Sequence, residues 1–194
     1  MKIPEPDESL FADIDVKEEL REFIQQPSPQ ELAPCSGCMD HQPNSCSSKC
    51  VRAPESLSID PILHPIEYHV VPIVYELMAT RLIQTCWSCE GHMNEKDELW
   101  KLPQVCFYTP SAVYVKLLSR HLSLLNHNKN LAYPWHIVIS EICDTCKLVY
   151  SIQPNLNDAD DPHLGLMQND LNVIGENLHG KLKLYAQEFI TVIK

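Results

Sequence analysis

The chain has 194 residues, 44% of them apolar, and a formal charge of −11. That is enough for one domain with a real core, and the acidity argues against a general nucleic-acid binder, which needs cations to displace phosphate counterions. No stretch approaches the roughly 20 apolar residues that cross a bilayer, and "MKIPEPDESLF" lacks the apolar heart of a secretory signal, so a cytoplasmic protein is expected.

Composition divides the chain into an acidic N-terminal segment (1–34), a Cys-rich segment (35–62) and an α+β domain (63–194) that ends in a long amphipathic helix. Residues Asp15–Gln26 read as a short helix capped by Asp15, with Leu20, Phe23 and Ile24 as its apolar stripe. "PSPQELAP" ends it. After a connector rich in proline, Pro72–Ile83 reads as a helix with Pro72 in the first turn and Ile73 and Leu77 on one face. "TCWSCEGH" (Thr85–His92) follows as a strand running into a turn, and Pro103–Tyr108 is a second strand. Thr109–Leu125 is the clearest helix, with Thr109 expected as N-cap, Pro110 as first residue and His121 on the apolar side. Two more strands, Trp135–Cys143 and Lys147–Gln153, flank "CDTC". Met167, Leu171, Ile174, Leu178, Leu182, Tyr185 and Phe189 then recur at helical spacing through about Ile193, with a kink or break expected near Gly175 and Gly180. These elements predict an α+β fold, a mostly antiparallel sheet of about four strands covered by helices. The C-terminal stripe either covers the sheet or serves as a seam for self-association.

The cysteines carry the chemistry. Nine cysteines in a reducing compartment point to free thiols or metal ligands rather than disulfides. Cys35, Cys38, Cys46 and Cys50 lie within sixteen residues that contain too little apolar surface to form a core. Four soft donors at that density suit tetrahedral zinc; an iron–sulfur cluster takes the same donor set. Cys86 and Cys89 form one CxxC pair and Cys143 and Cys146 another. A shared four-thiolate zinc site is one reading. Yet if strand 83–88 pairs with strand 103–108, strand 135–142 runs parallel to the latter, and Cys143 arrives at the edge opposite Cys89. In the other reading Cys86, Cys89 and His92 form a local three-ligand site with an open coordination position, as catalytic zinc sites have, and Glu90 is the candidate base. Trp87, Trp100 or Tyr108 would project into a cleft around Gly91, where glycine lets a small-molecule ligand approach the backbone.

"SCEGH" (Ser88–His92), after a helix and a strand, resembles a motif of small uncharacterised bacterial and phage proteins over roughly residues 70–140. More distantly, Thr85–His92 is similar to the "SCSG" stretch of the tRNA wybutosine-synthesis methyltransferase family, from which it departs where His92 replaces a basic residue. The resemblance implies that Ser88–His92 lies at the working end of the fold. Two functions stand side by side: a zinc-binding module that meets a protein partner, and an enzyme that acts on a small molecule through Cys89, Glu90 and His92.

Overall fold

The structure is a computed structural model that describes residues 16–26, 57, 66–142, 148–157 and 162–192. Asp15 and the cluster Cys35, Cys38, Cys46 and Cys50 lie outside these residues, as do Cys143 and Cys146. Within them the chain forms α1 (Val16–Gln25), a 3-10 turn (Tyr68–Val70), α2 (Val71–Ala79), β1 (Gln84–Cys89), β2 (His92–Met93), β3 (Leu99–Lys101), β4 (Gln104–Tyr108), α3 (Ala112–His127), β5 (Trp135–Ile142), β6 (Leu148–Pro154), α4 (Leu164–Gly175) and α5 (Leu178–Val192). None of these helices is long and apolar enough to cross a membrane.

β1, β4, β6 and β5 form, in that spatial order, an antiparallel sheet, and β2 pairs with β3 in a separate small hairpin. The expected α+β class is therefore observed. Because side chains alternate along a strand, Val105 and Phe107 of β4 face the same side as Ile152 of β6. All three are fully buried in a core shared with Leu20 and Phe23 of α1, Leu77 of α2, Leu117 of α3, Leu171 of α4 and Leu182 of α5. The stripe of the last two helices is thus used inside the chain's own core. Burying one such leucine or phenylalanine contributes about 1.5–3 kcal/mol.

Several element boundaries differ from the sequence expectation, each for a local reason. α2 stops at Ala79 because the Thr80 hydroxyl donates to Leu77 O (2.7 Å) and accepts from the N–H groups of Leu82 (3.2 Å) and Ile83 (3.1 Å). Arg81 in this turn has φ 58°, and the chain leaves it into β1. The N-cap of α3 is Ser111 rather than Thr109: its hydroxyl accepts from Val113 N at 3.2 Å. The break expected near Gly175 and Gly180 falls between them, at Glu176 and Asn177, where Asn177 adopts φ 48°. Gly175 serves a different purpose. A Cβ there would lie 2.8 Å from the Ile73 backbone nitrogen, so glycine lets α4 press against α2.

Buried polar groups fasten one end of the sheet. Asp170 of α4 accepts from Ala132 N (2.8 Å), Tyr133 N (3.1 Å) and the Trp135 indole N–H (2.9 Å). The Asn126 side chain both donates to Trp135 O (2.8 Å) and accepts from Trp135 N (3.0 Å). His121 is buried as expected. Its Nε2 lies 3.1 Å from the Ile174 carbonyl, so that nitrogen carries the proton, and its Nδ1 faces the Tyr185 hydroxyl at 3.4 Å.

Burial holds His121 down to about 4 from the ordinary 6.5. Above about pH 6.5 the ring is neutral in both the folded and the unfolded chain, and its share of the stability is complete. As pH falls toward 4, the unfolded chain takes up a proton that the folded chain refuses, and stability drops by about 3 kcal/mol. Burial also lowers His179, which adds to the loss in the same direction. Urea midpoints measured from pH 7 to 4.5 should fall accordingly. His121→Gln, whose amide can still donate to Ile174 O, should flatten part of that decline.

Candidate metal centre

The end of the sheet fastened by Asp170 also carries the "SCEGH" stretch. Cys89, Gln104, Gln153 and His136 lie there, while Ile142, just before "CDTC", and Leu148, two residues after it, pair at the opposite end. The strand directions anticipated from the sequence are those observed.

β1 contains an irregularity between Thr85 and Trp87, after which Trp87 pairs with Cys106 and Cys89 with Gln104. Trp87 and Cys89 consequently share the face of β1 opposite the helical core. Immediately beyond Cys89 the chain reverses. Gly91 adopts φ +85°, and a Cβ built on it would lie 2.6 Å from Leu164 Cδ1 and 2.9 Å from Pro103 Cδ. Both the backbone conformation and the space therefore require glycine. α4 buttresses this turn from one side: Leu164, its first residue, packs against it, and Gln168 Nε2 donates to Glu90 O at 3.2 Å. The reversal folds His92 back beside Cys89.

The third member of the group comes from far away in sequence. Glu67 precedes the 3-10 turn, and its Oε1 lies 2.9 Å from His92 Nε2. Its Oε2 accepts from Glu90 N at 2.6 Å. Glu90 reciprocates, its own Oε2 accepting from His69 N at 2.9 Å. This exchange staples the segment before α2 onto the end of β1. One donor atom each from Glu67, Cys89 and His92 falls within 4.8 Å of the others. In a tetrahedral site with bonds of about 2.0–2.3 Å, donors stand roughly 3.3–3.8 Å apart, so small side-chain movements bring all three onto one cation. These three side chains can hold a metal ion.

The group is enclosed on one side and open on the other. Cys89 is 2% exposed, whereas the side chains of Glu67 and His92 keep 29% and 38% of their surface in contact with solvent. Burial pushes the Cys89 thiol above its ordinary value, and the Glu67 carboxylate adds to the rise; the Gly91 N–H, 3.4 Å from the sulfur, and the Lys101 ammonium act against it. A buried thiol held protonated beside a carboxylate is a poor nucleophile. A cation in the same place would displace that proton and accept the thiolate, the chemistry this donor set is suited to.

The sequence singled out Cys89 and His92, and the structure brings them together. It does not bring Cys86 to them: Cys86 is exposed and stands outside the group, and Glu67 occupies the role expected of it. In an extended strand residues three apart are about 10 Å distant, and Cys86 falls in the irregularity of the pairing with β4 between Thr85 and Trp87, so the CxxC pair does not close on one ion here. Glu90 contributes its backbone and a carboxylate engaged by His69. Trp100 lies beside His92, with ring centroids 6.4 Å apart, and Trp87 shares the face of Cys89. Tyr108 is not part of the surroundings of Gly91. It pairs with Gln84 at the far end of β1 and lines a separate cleft of about 710 Å³ with Met78, Arg81 and Leu148.

Gly91→Ala should destabilise the fold by roughly 2–4 kcal/mol in chemical denaturation, through strained backbone and overlap with Leu164 and Pro103. Gly165→Ala, whose Cβ would meet only the His163 ring at 3.3 Å, should be close to neutral and serves as the control. No family model, curated protein or solved structure matches the chain, and the chemistry of these side chains is what speaks for its function.

Proposed function

We propose that the protein binds a zinc ion through Glu67, Cys89 and His92, and that the fourth position, left without a protein donor among the described residues, admits water or a small-molecule ligand. The observation that carries this reading is the convergence of one carboxylate, one thiol and one imidazole within 4.8 Å, on a base that is buried and a rim that is open. One sulfur, one nitrogen and one oxygen make a borderline donor set, which suits zinc better than magnesium or calcium, ions that prefer oxygen alone. An iron–sulfur cluster calls for several thiolates, and this group supplies one. Closed zinc sites built only to hold a fold complete four protein donors; a three-donor site with solvent access is the arrangement that lowers the pKa of bound water or polarises a bound carbonyl. The reading therefore favours an enzyme, or a ligand-binding protein, that works on a small molecule at this end of the sheet.

A second reading has its own support. Glu67 reaches the site from the segment before α2, so a cation there also ties that segment to β1, and part of its effect is stability. The Cys35, Cys38, Cys46 and Cys50 cluster, proposed from spacing as a separate structural zinc site, lies outside the described residues, and the protein-interaction reading pairs such structural zinc with a partner met through the acidic surface or the C-terminal helix.

Metal analysis separates these sites by stoichiometry. Glu67→Gln, Cys89→Ser and His92→Ala should each lower bound zinc by up to one equivalent. Conversion of Cys35, Cys38, Cys46 and Cys50 together to serine should remove a different equivalent and leave the first intact. Zinc content unchanged by Cys89→Ser would refute the proposed centre.

A further inference from the structure

The surroundings of the open side say what kind of ligand it would take. A divalent cation with a carboxylate, a thiolate and a neutral imidazole is neutral overall, so the next charge outward decides the sign of the site. Among the described residues, the Lys101 ammonium opposes the rise that burial and Glu67 impose on the Cys89 thiol. Lys101 reaches this place by construction: it pairs with His92 across the small hairpin, and its Nζ stands 4.4 Å from the centre of the Trp87 ring. The Glu90 carboxylate is turned to the His69 N–H. In a chain of net charge −11, a lysine thus stands beside the group, across from His92 and over the Trp87 ring.

Two large apolar surfaces accompany it. Trp87 is 40% exposed and Trp100 is 71% exposed. Trp87 is two residues from Cys89 on the same strand face, and Trp100 is the next residue to Lys101 and neighbours the His92 ring. Exposed indoles offer flat faces for a ring or an alkyl body, and these two flank the group.

Resting on the metal reading of the site, we propose that its ligand is a small organic anion. Its oxyanion group, a carboxylate or a phosphate, completes the coordination of the cation and is paired by Lys101, and its apolar body lies against Trp87 and Trp100. Lys101 is a specificity-determining residue in this arrangement and not a metal ligand.

Cobalt(II) replaces zinc with a visible absorption spectrum that reports its ligands, and tryptophan fluorescence reports Trp87 and Trp100. The full chain is loaded with cobalt and titrated with benzoate, acetate and the neutral benzamide. Benzoate should shift the cobalt bands and quench fluorescence. Acetate should shift the bands at higher concentration with little quenching, and benzamide should do neither in the same range. Lys101→Met, which keeps the apolar stem over Trp87, should load cobalt normally and bind benzoate about fivefold more weakly, while Lys101→Arg should restore binding. The benzoate response should be missing from Cys89→Ser. Failure of Glu67, Cys89 and His92 to hold cobalt would overturn the metal reading itself. Normal cobalt loading with no benzoate response, equal response to benzamide, or equal affinity in Lys101→Met would leave the metal in place and overturn the anionic ligand.

Discussion

The Glu67 carboxylate is the contact on which this end of the molecule depends. One oxygen takes the Glu90 N–H and the other faces His92 Nε2, so a single side chain fixes both the peptide that follows Cys89 and the imidazole beyond it. Charge-assisted bonds of this kind are about twice as strong as neutral ones. Glu67 lies just before the 3-10 turn that leads into α2, and its carboxylate, together with the Glu90 carboxylate that accepts from the His69 N–H, ties that segment to the end of β1. Removal of it would leave a backbone N–H and a histidine without their partner, and the cost of stranding polar groups in a half-buried place exceeds the value of the bonds taken singly.

Everything else at the site follows from how the fold delivers three side chains to that point. β1 carries Cys89 to the sheet end. A left-handed glycine, held between Leu164 and Pro103, turns the chain so tightly that His92 returns beside the thiol. α4 stands behind this turn, and the same helix anchors the start of β5 through Asp170. Rigid elements on both sides place the donors with little freedom left, which is the condition for a cation to bind without a large ordering cost.

Much of the fold was legible in the chain. The strands around Cys89, Cys106, Trp135 and Tyr150 and the helices carrying Leu20, Leu77, Leu117 and Leu171 could be recognised because their apolar residues repeat at the period of the element. What escaped was set by local chemistry that pattern does not weigh. Thr109 and Ser111 are equally good caps on paper, and only the backbone decides that Ser111 receives the Val113 N–H while the Thr109 hydroxyl donates to Ser111 O at 3.3 Å. The helix break went to Asn177 rather than to a glycine, since asparagine also tolerates positive φ and Gly175 was needed for contact with α2. Of the site, Cys89 and His92 were legible and Glu67 was not. A lone carboxylate in a proline-punctuated connector, with 21 residues between it and Cys89, carries no spacing signal, and only tertiary folding brings it into the group. Cys86 stands outside the group because β1 is extended and irregular at that residue, and spacing alone does not reveal such an irregularity.

The central claim is that one cation sits among Glu67, Cys89 and His92. Crystals of the zinc-loaded protein, measured on either side of the zinc absorption edge, test it directly. The account predicts an anomalous peak about 2.3 Å from Cys89 Sγ and about 2.0–2.2 Å from a His92 nitrogen and a Glu67 oxygen. A zinc-replete crystal with no peak there, and with His92 still bonded to Glu67 beside a protonated thiol, would contradict it.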